Sequence, residues 1–283
     1  YGAGGYTPPA NASHPVNCGC MTCLGAFDIA HLQYLYGPNQ YTGRKDDSYI
    51  LSDSLMGYEC IWDAAGKDTI DASTASKDST IDLRNATLQN EVGGGGFVSE
   101  INGEYKGFTI AYNSTGDCII ENAIGSNFND RITGNEYLNT IYGLSGDDEI
   151  FARGGSDFVY GGFGNDVIHG SFYRDPYNSI DTLSGGNGSD SFVLGDSSGL
   201  FYESSLSNDF ANITDFNFSE DKLKLNKAYS YLTSITSSQN INGLGIFKDT
   251  NSSGSLDPND DLIAIISNKK DYLSFNNINT ELV

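Results

Sequence analysis

Residues 125–169 read GSNFNDRIT, GNEYLNTIY, GLSGDDEIF, ARGGSDFVY and GGFGNDVIH, five nine-residue repeats that follow one another without a gap. A sixth repeat begins at Gly170, includes a six-residue insertion within Ser171–Ser179 and closes at Ile180–Ser184, and a seventh is GGNGSDSFV at 185–193. Each repeat has a loop rich in glycine and asparagine, an acid or amide at its sixth position and an apolar residue at its eighth. Because the sixth and eighth positions keep their register through seven repeats, the sequence of this segment predicts a regular coil rather than a flexible loop.

The sixth and eighth positions have different predicted roles. The sixth-position residues are Asp130, Asn139, Asp148, Asp157, Asp166, Asp181 and Asp190. The eighth-position residues are Ile132, Ile141, Ile150, Val159, Ile168, Leu183 and Phe192. Calcium takes about six to eight oxygen ligands from carboxylates and backbone carbonyls, and glycine or asparagine lets a loop turn its carbonyls inward. The sixth position is therefore predicted to bind calcium, and the eighth to point inward from a short strand.

The repeats resemble the calcium-binding nonapeptides of secreted repeats-in-toxin proteins, which form a parallel β-roll with two repeats per coil. The resemblance implies an all-β fold, a parallel β-roll with flanking β segments and one short N-terminal helix, that binds several Ca2+ ions in two columns of loops. The first column is predicted to hold about three ions and contains Asp130, Asp148, Asp166 and Asp190. The second contains Asn139, Asp157 and Asp181. It is predicted to bind more weakly because Asn139 is uncharged, and the insertion is predicted to bulge from this side.

A further calcium loop is predicted at residues 249–260. Its oxygen donors are Asp249, Asn251, Ser253, Ser255, Asp257 and Asp260. Donors at positions 1, 3 and 5, glycine at position 6 and an acid at position 12 match the spacing of an EF-hand loop, although Asp260 is shorter than the usual glutamate. Because the flanks are typical of strands, we expect an EF-like loop in a β context, and an Asp- and Ser-rich hairpin turn is the alternative.

The composition is strongly acidic. The chain has 283 residues, with 37 Asp and Glu against 15 Lys and Arg, and a net charge of −22. Such a charge repels nucleic acid and anionic membranes and opposes compact folding until cations neutralise it. We therefore expect the roll to be largely disordered without calcium and to fold with it. The longest apolar stretches are far shorter than the ~20 residues of a membrane-spanning helix.

Five cysteines, Cys18, Cys20, Cys23, Cys60 and Cys118, are an unusual feature of such a chain. Cys18–Cys23 reads CGCMTC, which suggests a thiolate metal site, but no fourth ligand of suitable spacing follows. In a secreted chain disulfides are the more frequent use of cysteine. Because five is odd, one thiol is predicted to lack an internal partner or to bond another chain.

The pattern predicts four segments: an irregular cysteine-containing arm and short helix at 1–38, β segments at 39–122, the roll at 123–195, and a C-terminal cap at 196–283. The helix is predicted near Ala26–Leu35, with Ile29, Leu32 and Tyr36 on one face, and Gly37-Pro38 ends it. The chain ends in NTELV at 279–283, an acid before two apolar residues, which weakly resembles a type I secretion tail.

Three segments resemble serralysins, secreted zinc metalloproteases of the metzincin clan: FDIAHLQYLYG at 27–37, IWDAAGKDTIDAS at 61–73 and ENAIG at 121–125. The resemblance covers residues 24–225 and implies the C-terminal portion of a serralysin-like protein, in which the helix at 26–36 is the end of the catalytic domain. The zinc motif H-E-x-x-H-x-x-G-x-x-H is absent, and the histidines are His14, His31 and His169. We therefore predict no catalytic residues and no zinc in this chain.

Three functions are open at this point. The first is an extracellular, non-catalytic calcium module with a structural, assembly or surface role, which would associate with itself or with another extracellular protein through calcium or an unpaired cysteine. The second is the export and folding half of a zinc metalloprotease whose catalytic domain lies upstream. The third is carbohydrate binding or adhesion, favoured only by 18 Tyr and 15 Phe, which in a β protein more often form core and cross-strand pairs.

Overall fold

The computed structural model describes residues 24–89, 91, 95–113, 118–172, 179–202 and 209–283. The chain divides into two compact units, an N-terminal unit at 1–133 and a C-terminal unit at 134–283. The division into four segments at residues 38, 122 and 195 remains a prediction. Cys18, Cys20, Cys23 and most of the insertion in the sixth repeat lie outside the described residues.

The described part of the N-terminal unit contains one helix and short strands. These are α1 Ala26–Tyr36, β1 Ser48–Ile50, β2 Tyr58–Ile61, β3 Thr69–Asp71, β4 Ser79–Asp82, β5 Val98–Ile101, β6 Gly107–Ile110, β7 Asn122–Ile124 and β8 Arg131–Thr133. One sheet has the order β1-β3-β7 with parallel pairing throughout. The other has the order β2-β6-β5-β4-β8, in which β5 is the antiparallel strand.

The C-terminal unit continues with strands of two to eight residues. The first seven are β9 Thr140–Ser145, β10 Glu149–Phe151, β11 Phe158–Phe163, β12 Val167–His169, β13 Ile180–Asn187, β14 Ser191–Val193 and β15 Gly195–Asp196. The others are β16 Gly199–Leu200, β17 Phe210–Ile213, β18 Lys222–Leu225, β19 Tyr231–Ser238, β20 Ile241–Lys248, β21 Asp261–Ile266 and β22 Thr280–Leu282, with a 3-10 turn at Phe275–Asn277 before the last strand.

Within the repeats, successive strands from β9 to β14 alternate between two sheets. One has the order β9-β11-β13-β17-β21-β20-β19 and is parallel up to β21, and the other, β10-β12-β14-β18-β22, is parallel throughout. Two nine-residue repeats therefore make one coil, and the predicted parallel β-roll is confirmed. Parallel pairing continues past residue 195, where the sequence predicts the roll to end, because β17 and β18 add a further coil.

The core of the roll is a pair of facing columns of apolar side chains. In one sheet Ile141, Val159, Leu183 and Ile213 lie in register on neighbouring strands. In the other the register joins Ile150, Ile168, Phe192 and Leu223. All eight side chains are 0 % exposed, and burying each stabilises the fold by about 1.5–3 kcal/mol. The predicted inward direction of the eighth position is confirmed.

Helix α1 is present, but the predicted apolar face is wrong. The buried residues of the helix are Ala26 and Gln33, and Gln33 Nε2 donates a hydrogen bond to the Tyr112 carbonyl at 3.0 Å. Leu32 and Tyr36 are instead 41 % and 81 % exposed. The helix is apolar on most of its circumference, so helical spacing alone does not identify the side that packs. Among the described residues, no helix is long and apolar enough to cross a membrane.

Candidate calcium sites

The first column of loops is joined by a ladder of backbone-to-carboxylate hydrogen bonds. The backbone N–H of Asp148 donates to Asp166 Oδ1 at 2.9 Å, and that of Asp166 donates to Asp190 Oδ1 at 2.9 Å. The N–H of Asp190 donates in turn to Asp221 Oδ1 at 2.9 Å. All four acids are buried. Each carboxylate therefore uses one oxygen to fix the loop of the preceding coil.

The second carboxylate oxygen differs from the first. Oδ2 of Asp166 and Oδ2 of Asp190 are buried and have no hydrogen-bond partner. Each faces the glycine that opens its own repeat, because a Cβ added at Gly161 or Gly185 would collide with it. A buried carboxylate oxygen without a donor is costly unless a cation satisfies it. The geometry therefore fits a calcium ion in both loops.

Glycine at the fourth position of three first-column repeats makes the close stacking of their loops possible. Gly146, Gly164 and Gly188 have φ values of 123°, 133° and 135°, which favour glycine. A Cβ at Gly164 would collide with the Gly146 carbonyl oxygen, and a Cβ at Gly188 with that of Gly164. The loops thus bring backbone carbonyls close to the carboxylates, and both are ligand types that calcium prefers.

The raised pKa values of two first-column acids also favour a bound cation. Burial raises the pKa of Asp166 to about 7, and although the N–H of Asp148 lowers it, the negative charges of Asp190 and Asp147 raise it further. Burial likewise raises the pKa of Asp190 to about 6, with the Asp221 charge adding to the effect. A bound cation would favour the ionised form of both groups.

The second column has the same ladder with different chemistry. The N–H of Asn139 donates to Asp157 Oδ1 at 2.7 Å, and the N–H of Asp157 donates to Asp181 Oδ1 at 2.9 Å. The amide of Asn139 is used within its own loop, where Oδ1 accepts from the Asn135 N–H at 2.8 Å and Nδ2 donates to Asn135 Oδ1 at 3.0 Å. Asp181 Oδ2 accepts the hydroxyl of Tyr202 at 2.6 Å. Asn139 Oδ1 and Asp181 Oδ2 thus each have a protein donor, whereas Oδ2 of Asp166 and Oδ2 of Asp190 in the first column have none.

Asp130, in the N-terminal unit, also accepts hydrogen bonds from neighbouring loops. Its Oδ1 accepts the backbone N–H of Ser79 at 2.6 Å, and it also accepts the hydroxyls of Ser79 at 2.8 Å and Ser126 at 2.9 Å. Burial raises its pKa, and the bonds from Ser126 and Ser79 lower it. The predicted ligand is therefore buried at a loop, as expected, but it is surrounded by hydroxyl and N–H donors.

A site that the sequence reasoning missed lies in the N-terminal unit. Ligand oxygens of Asp47, Asp63 and Asp68 all lie within 4.8 Å of one another, and Asp63 and Asp68 are 1 % and 0 % exposed. Asp68 Oδ1 accepts the Asp47 N–H at 2.9 Å, and its Oδ2 is buried without a hydrogen-bond partner. Burial raises the pKa of Asp68 to about 6. The Tyr49 hydroxyl donates to Asp63 Oδ2 at 2.6 Å.

The missed acids do carry a sequence signal. Asp68 precedes the buried Ile70 by two residues, and Asp221 precedes the buried Leu223 by two. This is the sixth-to-eighth spacing of the repeat. The loop before Asp68 keeps one glycine of the repeat, Gly66 with a φ of 148°, and the loop before Asp221 has none. The signal could have been found by searching for an acid two residues before an inward-pointing strand residue, but the flanking loops are too irregular to mark it as a repeat.

The predicted EF-like loop joins β20 and β21, two antiparallel strands, so its β context is as expected. Asp249 Oδ1 and Oδ2 accept the N–H groups of Ser253 and Gly254, both at 2.9 Å. Asp260 accepts from Thr250 and Asp257 at 3.0 and 2.8 Å. Asn251 donates to Asp257 Oδ2 at 2.6 Å, and Ser253 Oγ donates to the Ser255 carbonyl at 2.7 Å. The carboxylates therefore already organise the loop, and calcium binding there remains a prediction.

The strand pairing and the carboxylate ladder define a parallel β-roll built from calcium-type nonapeptide repeats. Residues 28–253 match the model of the family described as Peptidase M10 serralysin C terminal, and the chain belongs to this family. The resemblance drawn from the sequence motifs is thereby confirmed.

A curated relative and a solved structure can be compared with the chain. Serralysin from Proteus mirabilis is 36 % identical over 115 residues, which cover 36 % of this chain and 21 % of the relative. The match thus spans about a fifth of that protein's length. The solution structure of the AlgE6R3 subunit of mannuronan C5-epimerase from Azotobacter vinelandii is 21 % identical, covering 48 % of this chain and 68 % of that one with a TM-score of 0.19. The fold assignment rests on the strand pairing of the chain itself.

Proposed function

We propose that this chain is a secreted calcium-binding β-roll module that folds on calcium, has a structural, assembly or surface role, and is not catalytic as it stands. The observation that carries the proposal is the buried Oδ2 of Asp166 and Asp190, which lacks a hydrogen-bond partner although Oδ1 of each residue accepts a backbone N–H. Asp68 repeats this arrangement in the N-terminal unit.

The physical argument is one of charge. Buried carboxylates destabilise a fold unless they are protonated, hydrogen-bonded or bound to a cation. Calcium supplies two positive charges and accepts oxygen ligands from side chains and backbone together. In this chain Asp148, Asp157, Asp166 and Asp190, with the carbonyls of their glycine loops, would hold it. Asp68, whose Oδ2 also lacks a hydrogen-bond partner, would take part in a further site with the neighbouring Asp47.

The extracellular location follows from the same requirement. Calcium-binding modules outside cells work at calcium concentrations of roughly 0.1–1 mM, which suits a chain that needs several ions to fold. The net charge of −22 keeps the unfolded chain extended until it meets that concentration. Membership of a family named for the serralysin C terminus supports this setting.

The test is the number of calcium ions bound per chain, measured by equilibrium dialysis with metal analysis on the full chain. The variant Asp166→Asn/Asp190→Asn keeps the Oδ1 acceptors and removes two buried charges. We expect it to bind fewer ions and to need at least about tenfold more calcium for half-maximal folding, since tenfold corresponds to only about 1.4 kcal/mol.

The matched control is Asp271→Asn, which removes a charge from an exposed residue. It should leave both the ion count and the calcium midpoint unchanged. An ion count in the double variant equal to that of the unaltered chain would contradict the proposal, because the ladder acids would then not be ligands.

The second candidate is the export and folding half of a serralysin-type zinc metalloprotease. It is favoured by the family match and by the fact that the match spans about a fifth of a serralysin. Intact mass of the native protein, with peptide mapping upstream of Tyr1, distinguishes the two. A mass near 30.4 kDa supports the structural module, and upstream peptides carrying H-E-x-x-H support the protease.

Carbohydrate binding receives little support from the aromatic side chains. Tyr142 and Tyr160, both partly exposed on neighbouring strands, stack on each other with ring centroids 4.9 Å apart and planes 9° apart. One face of each ring is thus turned to the other ring. The pair is a cross-strand contact that stabilises the sheet.

A further inference from the structure

The second column of loops contains an acid whose two oxygens both have donors. Asp181 Oδ1 accepts the Asp157 N–H at 2.9 Å, as the ladder requires. Asp181 Oδ2 accepts the Tyr202 hydroxyl at 2.6 Å. Asp181 and Tyr202 are both 0 % exposed. This is an inward-facing hydrogen bond between a buried carboxylate and a phenol from outside the repeats.

The position of the phenol oxygen can be compared with the first column. There the opening glycine of a repeat, Gly161 or Gly185, faces the Oδ2 atom that lacks a partner. In the sixth repeat the opening glycine is Gly170, and the atom that a Cβ there would meet first is the Tyr202 hydroxyl oxygen, followed by Asp181 Oδ2. The hydroxyl therefore lies between the opening glycine and the carboxylate, inside the loop.

The chain delivers Tyr202 to this position through a small hairpin. Strands β15 and β16 pair antiparallel, with Gly195 opposite Leu200. The N–H of Phe201 then donates to the Leu194 carbonyl at 3.0 Å, so the chain returns to the roll immediately before Tyr202. This hairpin is absent from the repeat pattern, and it brings the phenol to an acid 21 residues earlier.

We propose that the Tyr202 hydroxyl takes the place of a calcium ion at Asp181, so that this level of the second column is held by a hydrogen bond and binds no calcium. The proposal rests on the proposed function and sharpens it, because it says which acid of the ladder is not a calcium ligand. The sequence prediction for Asp181 is revised accordingly.

The chemistry favours this exclusion. A calcium ion requires about six to eight oxygens at 2.3–2.6 Å, whereas the phenol supplies one proton to one carboxylate oxygen. A tyrosine with no exposed surface cannot move aside without opening a cavity the size of its ring. In this proposal the coil at Asp181 forms without metal, and the neighbouring calcium-dependent loops stack on it.

The first experiment locates calcium by anomalous scattering in crystals of the full chain grown with calcium. The expected result is density beside Asp166 and Asp190 and none beside Asp181, with the Tyr202 hydroxyl in hydrogen-bond contact with Asp181. Density beside all three acids would overturn this inference alone. Absence of density beside Asp166 and Asp190 would overturn the proposed function and this inference with it.

The second experiment compares Tyr202→Phe with Tyr160→Phe, which loses a hydroxyl from a partly exposed ring. In saturating calcium, Tyr202→Phe should bind as many ions per chain as the unaltered protein, and its melting temperature should fall by about 2–6 °C because a buried carboxylate loses its donor. Tyr160→Phe should change neither quantity. An ion count lower by one in Tyr202→Phe would overturn the inference, since the hydroxyl would then be a calcium ligand.

Discussion

At the scale of single residues, Asp166 and Asp190 each have two separate roles. Oδ1 of Asp166 accepts a backbone N–H and fixes a loop, while Oδ2 faces the opening glycine without a hydrogen-bond partner. The first role needs only an acceptor, which asparagine also provides. The second needs charge, because only a carboxylate binds calcium strongly. Substitution by asparagine therefore keeps the hydrogen bond that fixes the loop and removes the charge that binds calcium.

These carboxyl groups predict an inverted pH dependence of stability without calcium. The folded-state pKa of Asp166 is about 7, and those of Asp190 and Asp68 are about 6, all above the ordinary 3.8. The folded protein therefore binds more protons than the unfolded chain between these values, and the unfolding free energy falls as pH rises. The stability from these groups is fully present below pH 3.8 and is lost as pH rises through about 6–7. The fraction of folded chain in chelator, followed by circular dichroism between about pH 4 and pH 7, measures this change in unfolding free energy.

The control for this prediction is the double variant that removes two of the buried ladder charges. Asp166→Asn/Asp190→Asn should show a shallower fall in unfolding free energy between about pH 4 and pH 7, and Asp271→Asn should follow the unaltered chain. Equal unfolding free energies of the unaltered chain across the whole range would contradict the raised pKa values.

The spacing of the repeats predicts the ladder acids but not their hydrogen-bond partners. Asp166 and Ile168 could be assigned from sequence because position in the repeat fixes which way each side chain points. The contact of Tyr202 with Asp181 could not, because a hairpin outside the repeat brings the two together. The packed side of helix α1 was misassigned because its apolar residues surround the helix axis.

At the scale of elements, the loops are stacked so closely that one backbone limits the next. The fourth-position glycines Gly146, Gly164 and Gly188 have positive φ, and each later one has the carbonyl of the preceding loop where its Cβ would lie. Two constraints therefore favour glycine at these positions: the positive φ of the backbone and the close contact with the preceding loop. Asp221, which continues the ladder, escapes sequence detection because residues 215–220 contain no glycine.

Gly164→Ala and Gly103→Ala separate the two constraints. Gly103 has a φ of 81° with no atom within 4 Å of an added Cβ, so its substitution should cost about 1–2 kcal/mol from conformation alone. Gly164→Ala should cost clearly more, because the Cβ also collides with the Gly146 carbonyl. Denaturant unfolding of both variants in saturating calcium measures the difference. A smaller loss of unfolding free energy in Gly164→Ala than in Gly103→Ala would show that the loops are not closely stacked.

At the scale of the whole molecule, the net charge of −22 and the buried ladder acids oppose folding in the same way. Apolar columns such as Ile141–Val159–Leu183–Ile213 favour the coil, but they bury few large side chains relative to the number of glycines and acids. Under the proposed function, calcium neutralises the acids and joins neighbouring loops, so that calcium binding and folding are one equilibrium.

The most direct test of this account is far-ultraviolet circular dichroism of the full chain, first in chelator and then with calcium raised to millimolar concentration. The account predicts a largely disordered spectrum near pH 7 in chelator and a cooperative change to a β spectrum as calcium is added. A β spectrum that is the same with and without chelator would contradict the claim that the ladder acids depend on calcium to fold.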